Sequence, residues 1–309
     1  LVINGGTYYD GTGAPGIVTN VGVKDGRVAR VSPEPLAVGA STRVVDASGQ
    51  WVMPGFVDAH THYDAEVQVA PGLNESVRHG VTTVLVGNCS LSTVYSSPLD
   101  IADLFSRVEA LPRAHVLSSL EDAKTWSTPQ GWIDALEQLP LGPHVASFLG
   151  HSDVRASVMG MGRSTDPDHK ASKDEKKEIE RRLEDALDAG FLGISTMTNP
   201  WDKLDGDRYR SRSLPSTYSS WEEFRGLSRV LRRRGRVLQR VPNLNKKYDI
   251  AFYITTAMGL FRKPLKVSLL AAADTKAEPW VQRIFAPLAF IANTLGRGKF
   301  TWQHLPTTF

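Results

Sequence analysis

Two histidines one residue apart hold the first chemistry of this chain. They close the run Pro54-Gly55-Phe56-Val57-Asp58-Ala59-His60-Thr61-His62-Tyr63-Asp64, in which an apolar stretch ends in a His-x-His pair. On extended backbone, residues i and i+2 project to the same side, and neutral imidazoles are good ligands for zinc and similar cations. A pair of surface histidines beside a turn is the competing reading. The Pro-Gly lead-in, the apolar strand and the acidic residue that follows favour a metal. Cys89, the only cysteine, stands just after a second apolar run that ends at Gly87. A thiolate is a strong zinc ligand and is kept deprotonated by the metal. A lone cysteine more often packs as a small apolar residue, so the case for Cys89 rests on the histidine pair one strand away.

Further candidates to line a pocket are Asp64, Asn88, His151, Arg155 and Gln239. His151 fits either a pocket or a structural site satisfied by neighbouring loops. Arg155 fits either an acidic substrate group or a local salt bridge.

The elements that must position these residues change character along the chain. Residues 1–50 read as short β segments separated by turns. Val21-Gly22-Val23-Lys24-Asp25-Gly26-Arg27-Val28 has the Asp-Gly pair that a type I′ hairpin turn requires. From residue 51, apolar strands alternate with capped helices, the pattern of parallel βαβ units. Strands are expected at 55–58, 81–87, 145–150, 192–196, 237–241, 265–270 and 300–304. Several are apolar without alternation, as strands buried on both faces are. Helix starts are marked by Thr128-Pro129, by Ser172 with Glu175, and by Ser219 with Glu222 or Ser220 with Glu223. A helix near 278–295 stops at Gly296. The expected fold is α/β: a TIM-type (β/α)8 barrel over 51–309, with about seven strands present, after a small N-terminal β-sandwich module over 1–50. A doubly wound sheet is the alternative, but no Gly-rich dinucleotide fingerprint follows the first strand.

Composition narrows the classes. A net charge of +3 is too small to mark a nucleic-acid binder. The run Arg232-Arg233-Arg234-Gly235-Arg236 falls at a predicted helix end, where cations complement the dipole. No stretch is apolar for long enough to span a bilayer, so no membrane partner is expected. A single cysteine excludes an internal disulfide and fits a reducing compartment, hence a cytoplasmic location.

The segment from Pro54 to Asp64 resembles the first-strand motif of the amidohydrolase superfamily, and the β module before it matches that superfamily's flanking sandwich. The stretch His79-Gly80-Val81-Thr82-Thr83-Val84-Leu85-Val86-Gly87-Asn88-Cys89-Ser90 is similar to N-acyl-D-amino-acid deacylases (D-aminoacylases). Leu149-Gly150-His151-Ser152-Asp153-Val154-Arg155 resembles that family's Gly-His…Arg segment, and 186–196 its approach to strand four. The resemblance implies His60, His62 and Cys89 as metal ligands, with the cysteine in the role that a carboxylated lysine fills in many relatives. It implies a divalent metal, zinc by preference, that activates water against the C–N bond of a small acylated amine or amino acid. The family also supplies histidines from strands five and six and a proton-transferring aspartate from strand eight. Here Gln239 stands at the strand-five position and strand six has no histidine, so one ion is expected, with two as the alternative. The aspartate is expected in sequence beyond Phe309, the chain reading as a fragment. Asp274 is a poor substitute, and His304, at the end of the seventh strand, is not assigned as a ligand. Two rivals remain. A cyclic amidase of the dihydroorotase or hydantoinase kind would want a strand-four lysine, which 192–196 lacks. A non-catalytic barrel scaffold is the other.

Overall fold

The structure, a computed structural model, describes residues 1–243, 246–260, 262–270 and 281–303. The chain divides into two compact units, Leu1–Phe56 and Val57–Phe309.

The first unit is one five-stranded sheet: β1 (Val2–Tyr8), β2 (Ile17–Lys24), β3 (Arg27–Ser32), β4 (Val44–Asp46) and β5 (Trp51–Val52), in the order β3-β2-β1-β4 with β5 also along β1. The β2–β3 turn is the expected one. Asp25 and Gly26 take φ of 51° and 71°, and Lys24 pairs with Arg27 across them. A second sheet layer, as a sandwich would have, is not found among the described residues of this unit. Trp51–Val52, placed by the sequence at the start of the barrel, instead pair in parallel with Thr7 and Tyr8.

The second unit holds β6 (Phe56–Asp58), β7 (Val81–Val86), β8 (His144–Ser147), β9 (Leu149–Gly150), β10 (Gly193–Met197), β11 (Val237–Val241), β12 (Lys266–Leu270) and β13 (Lys299–Gln303). They form two sheets, β6-β7-β8 and β9-β10-β11-β12-β13. The strand expected at 145–150 is broken at Phe148 into β8 and β9. Phe148 still donates to Val86 O at 3.0 Å, while Ser147 O accepts from Leu192 N–H at 2.9 Å. One strand thus passes from the first sheet to the second, and spatial order follows chain order from β6 to β13, the order a (β/α) barrel uses. No backbone ladder joins β6 to β13 among the described residues.

Neighbouring strands from β9 to β13 pair in parallel and in close register, with Gly150, Ser195, Gln239, Ser268 and Thr301 side by side. The adjoining row, Leu149, Ile194, Leu238, Val267 and Phe300, belongs to the apolar core with helix residues such as Leu183, Leu227 and Phe285. Strand alternation therefore splits each strand between an apolar helix side and a polar inner side.

The helices keep their sequence punctuation. Ser172 and Glu175 form a complete capping box on Lys173–Asp188. Ser220 caps Trp221–Arg234, whose last-turn Arg233 and Arg234 pair with Glu184 and Asp188 of the preceding helix. No helix among the described residues is long and apolar enough to cross a membrane.

Gly87, just past β7, has φ of 76°, and a Cβ there would lie 1.9 Å from Phe148 O. Gly87→Ala is expected to lower stability by roughly 2–4 kcal/mol, because strain and clash combine. Gly235→Ala, also at positive φ but with nothing within 4 Å of the added methyl, should cost only about 1 kcal/mol. Urea unfolding midpoints of the two variants would compare them.

Candidate metal centre

Cys89 reaches the histidines because the chain reverses sharply after β7. Gly87, Cys89 and Ser90 all take positive φ, 76°, 53° and 71°. Each non-glycine residue so held opposes folding by about 1–2 kcal/mol, so the surroundings must over-determine the turn. They do. Gly87 N–H donates to Asp64 Oδ1 at 2.9 Å, Cys89 N–H to Gln239 Oε1 at 3.3 Å and Ser90 N–H to Ser195 Oγ at 3.0 Å. Asn88 Nδ2 donates to Leu85 O at 2.9 Å and to Thr61 O at 3.3 Å. The buried Asp153 carboxylate then gathers the next residues, accepting from Ser92 Oγ at 2.7 Å, Val94 N–H at 2.9 Å, Tyr95 N–H at 3.1 Å and Ser96 N–H at 2.7 Å. Gly150 makes room for this, since a Cβ there would lie 2.4 Å from the Leu91 carbonyl carbon.

The result brings three donors together. The ligand atoms of His60, His62 and Cys89 all lie within 4.8 Å of one another, and His60 Nε2 is 3.1 Å from Cys89 Sγ. Burial pushes both histidines down, His62 to about 3 with a further contribution from His60, so both imidazoles are neutral at pH 7. Burial pushes the Cys89 thiol up, a tendency that a bound cation reverses. Burial also raises Glu109 to about 7, with Asp202 adding to it, and Asp64 to about 8. His62 Nδ1 is buried without a hydrogen bond, 3.4 Å from Glu109 Oε1. Two neutral imidazoles and a thiol, with an unsatisfied ring nitrogen among them, fit a zinc-like divalent cation. A cleft of about 490 Å³, lined in part by His60, His62, Glu109 and His115, opens onto the histidines. A larger groove of about 850 Å³, by Tyr95, Thr128 and Arg182, contains none of the three donors.

The other sequence candidates divide. Asp64, Asn88 and Gln239 stand beside the donors, where they hold the Cys89 turn. Asp64 Oδ2, Asn88 Oδ1 and Gln239 Nε2 are buried without hydrogen bonds. His151 and Arg155 do not line the cleft. Both are fully buried on the helix side, where His151 spans Thr196 Oγ1 at 2.9 Å and Glu223 Oε1 at 2.7 Å, and Arg155 pairs with Glu223 Oε2. Alternation on β10 explains it: Ser195 meets the Cys89 turn, so Thr196 faces the opposite way. Asp274 and His304 lie outside the described residues.

Sequence reasoning missed Glu109, Glu223 and Gln303. Glu223 had a signal, as one half of an expected capping box. Its N–H does donate to Ser220 Oγ at 3.2 Å, but its carboxylate turns to His151 and Arg155 instead of closing the box. Gln303 Oε1 lies 2.8 Å from His60 Nδ1, and no local pattern marks either it or Glu109.

Burial would raise the Glu223 carboxyl, but hydrogen bonds and charge from His151 and Arg155 outweigh it and hold the group at about 2. A folded value below the ordinary 4.5 stabilises the protein above that pH, and the contribution is lost as pH falls through 4.5 towards 2. Glu223→Gln should lower stability at pH 7 by about 3–5 kcal/mol, since it leaves Arg155 buried without its counter-charge. The variant should also show a flatter loss of stability below pH 4.5 than the parent, read from urea midpoints across that range.

Known proteins with the same pattern place the chain. A model described as the amidohydrolase family matches residues 43–212, which include His60, His62 and Cys89. An uncharacterized protein of Mycobacterium tuberculosis is 48% identical over 311 residues, covering 100% of this chain and 51% of that protein. A D-aminoacylase structure, described in terms of its binuclear metal centre with one-metal activation and second-metal attenuation, matches with a TM-score of 0.74 and 26% identity over 99% of this chain and 58% of its own. N-acyl-D-glutamate deacylase from Bordetella bronchiseptica, complexed with zinc and a phosphonate mimic of the tetrahedral intermediate, matches with a TM-score of 0.75 and 25% identity over the same shares, 99% and 58%. The chain spans about half the length of the curated relatives that match all of it. With more than half of its residues matched to the family, and three donor side chains gathered where β6 and β7 end, the chain belongs to the amidohydrolase family.

Proposed function

We propose that the protein hydrolyses the C–N bond of an N-acyl-D-amino acid or a related acylated amine, using one zinc-like ion held by His60, His62 and Cys89. The observation that carries this reading is the meeting of those three ligand atoms within 4.8 Å, two of them on histidines that line a cleft. A divalent cation bound there supplies Lewis acidity to the scissile carbonyl and to the attacking water. The chain's own residues would hold the ion. Neutral His60 and His62 present lone pairs, and the Cys89 thiolate offsets part of the cation's charge. The Asp64, Asn88 and Gln239 side chains keep the thiol in place.

One ion is favoured over two because the strand-five position is Gln239, whose Oε1 is used by Cys89 N–H, and the register neighbour on β12 is Ser268. The D-aminoacylase described by one-metal activation supports this count by kinship. A cyclic amidase is disfavoured by β10, whose Gly193–Met197 has no lysine. Among the described residues, the cleft lining includes Glu66, Glu109, Leu111 and Val116 but neither lysine nor arginine. An N-acyl amino acid with a neutral, apolar side chain, bearing one carboxylate, suits it better than a dicarboxylate.

Elemental analysis of the purified protein should give about one metal per chain, and less than about 0.1 would leave only the non-catalytic scaffold. His60→Ala and Cys89→Ser should each remove most of the metal and lower hydrolysis of N-acetyl-D-leucine by about 100-fold or more. N-acetyl-D-leucine should be cleaved faster than N-acetyl-D-glutamate, and the reverse order would refute the neutral preference.

A further inference from the structure

The best-defined hydrogen-bond chain at the centre starts far from the histidine motif. Gln303 is the last residue of β13, and its Nε2 donates to Ser268 Oγ on β12 at 3.0 Å. Its other end, Oε1, lies 2.8 Å from His60 Nδ1. A side-chain amide has one donating and one accepting end. With the donating end given to Ser268, His60 meets the carbonyl oxygen, so Nδ1 must carry the ring proton. A neutral imidazole protonated at Nδ1 has its lone pair at Nε2, and Nε2 is the atom 3.1 Å from Cys89 Sγ.

We propose that Gln303 is a positioning residue of the metal centre: it fixes the tautomer and ring orientation of His60 so that Nε2 faces the position shared with His62 and Cys89. Ser268 Oγ, in turn, holds the far end of the Gln303 amide in place. The inference rests on the metal-centre reading above and adds to it a residue 243 positions away in sequence. The contact also links the C-terminal ends of β6 and β13, which share no ladder among the described residues. Among the described residues His62 has no equivalent hydrogen bond, its Nδ1 lying 3.4 Å from Glu109 Oε1. His60 is thus the preset ligand of the pair.

Partners that orient a metal-binding histidine typically contribute about 10–100-fold to metal affinity. Zinc affinity, measured by competition with a chromophoric chelator, and the imidazole nitrogen shifts of the metal-free protein, measured by NMR, test the idea together. Gln303→Met should weaken zinc binding by about 10–100-fold and let His60 populate both tautomers. Gln303→Glu, which keeps an acceptor at the same reach, should restore affinity to within about threefold and keep the proton on Nδ1. A role limited to packing would not separate these two variants, and if Gln303→Met does not fold, Gln303→Glu and Ser268→Ala carry the comparison. Ser268→Ala removes the second anchor of the amide, so it should loosen Gln303 and weaken zinc binding less than Gln303→Met. Equal zinc affinity in the parent, Gln303→Met and Ser268→Ala would overturn the proposal, as would a His60 proton on Nε2 in the parent. A parent protein without zinc affinity would sink the metal-centre reading instead, and the NMR tautomer would still decide whether Gln303 orients the ring.

Discussion

Everything at the centre depends on the left-handed reversal from Gly87 to Ser90. An extended exit from β7 would carry Cys89 away from the histidines. Instead the backbone turns back through three residues at positive φ, a conformation that opposes folding and cannot persist alone. Its anchors come from two other strands, the segment after β6 and a helix: Asp64 after β6, Ser195 on β10, Gln239 on β11, and Ser152 in the helix His151–Met159. The stretch Gly150-His151-Ser152-Asp153-Val154-Arg155 therefore acts on the metal centre at one remove. Its glycine admits the turn and its Asp153 gathers the residues beyond it, while His151 and Arg155 tie the same helix to Glu223.

Alternation lets single strands serve both tasks. On β11, Gln239 meets the Cys89 turn, and the next residue, Arg240, points into the helix layer between Phe224 and Tyr253, with its guanidinium carbon 4.2 Å and 3.7 Å from the two ring centres. Burial lowers Arg240 to about 9, against some support from Asp249, so the aromatic faces take over part of what water would supply. The helix side thus carries its own buried charges, Arg155, Arg240 and Glu223, separated from the donors by the sheet.

What the sequence made legible was local. The strands showed as apolar runs between caps, and Ser172 with Glu175 marked a helix start by spacing alone. The His60–His62 pair and Cys89 could be read because strand periodicity and chain order place the ends of β6 and β7 side by side. What stayed hidden depends on contacts across long stretches of chain. Nothing near Gln303 or Glu109 announces a histidine partner, and the break at Phe148 arises because its two neighbours belong to different sheets. His151 and Arg155 were open to either reading for the same reason. Their side of the sheet is set by register with β10, and a residue's own neighbours do not reveal that register.

The anchoring of the Cys89 turn to Ser152, Ser195 and Gln239, none of them among the three donors, bears on how a metal would arrive at the proposed centre. The folded frame itself holds the Cys89 turn, so binding an ion at the proposed centre would require little rearrangement of the chain. The ordering entropy has already been spent when the barrel strands assemble, and less is subtracted from the affinity at the moment of binding.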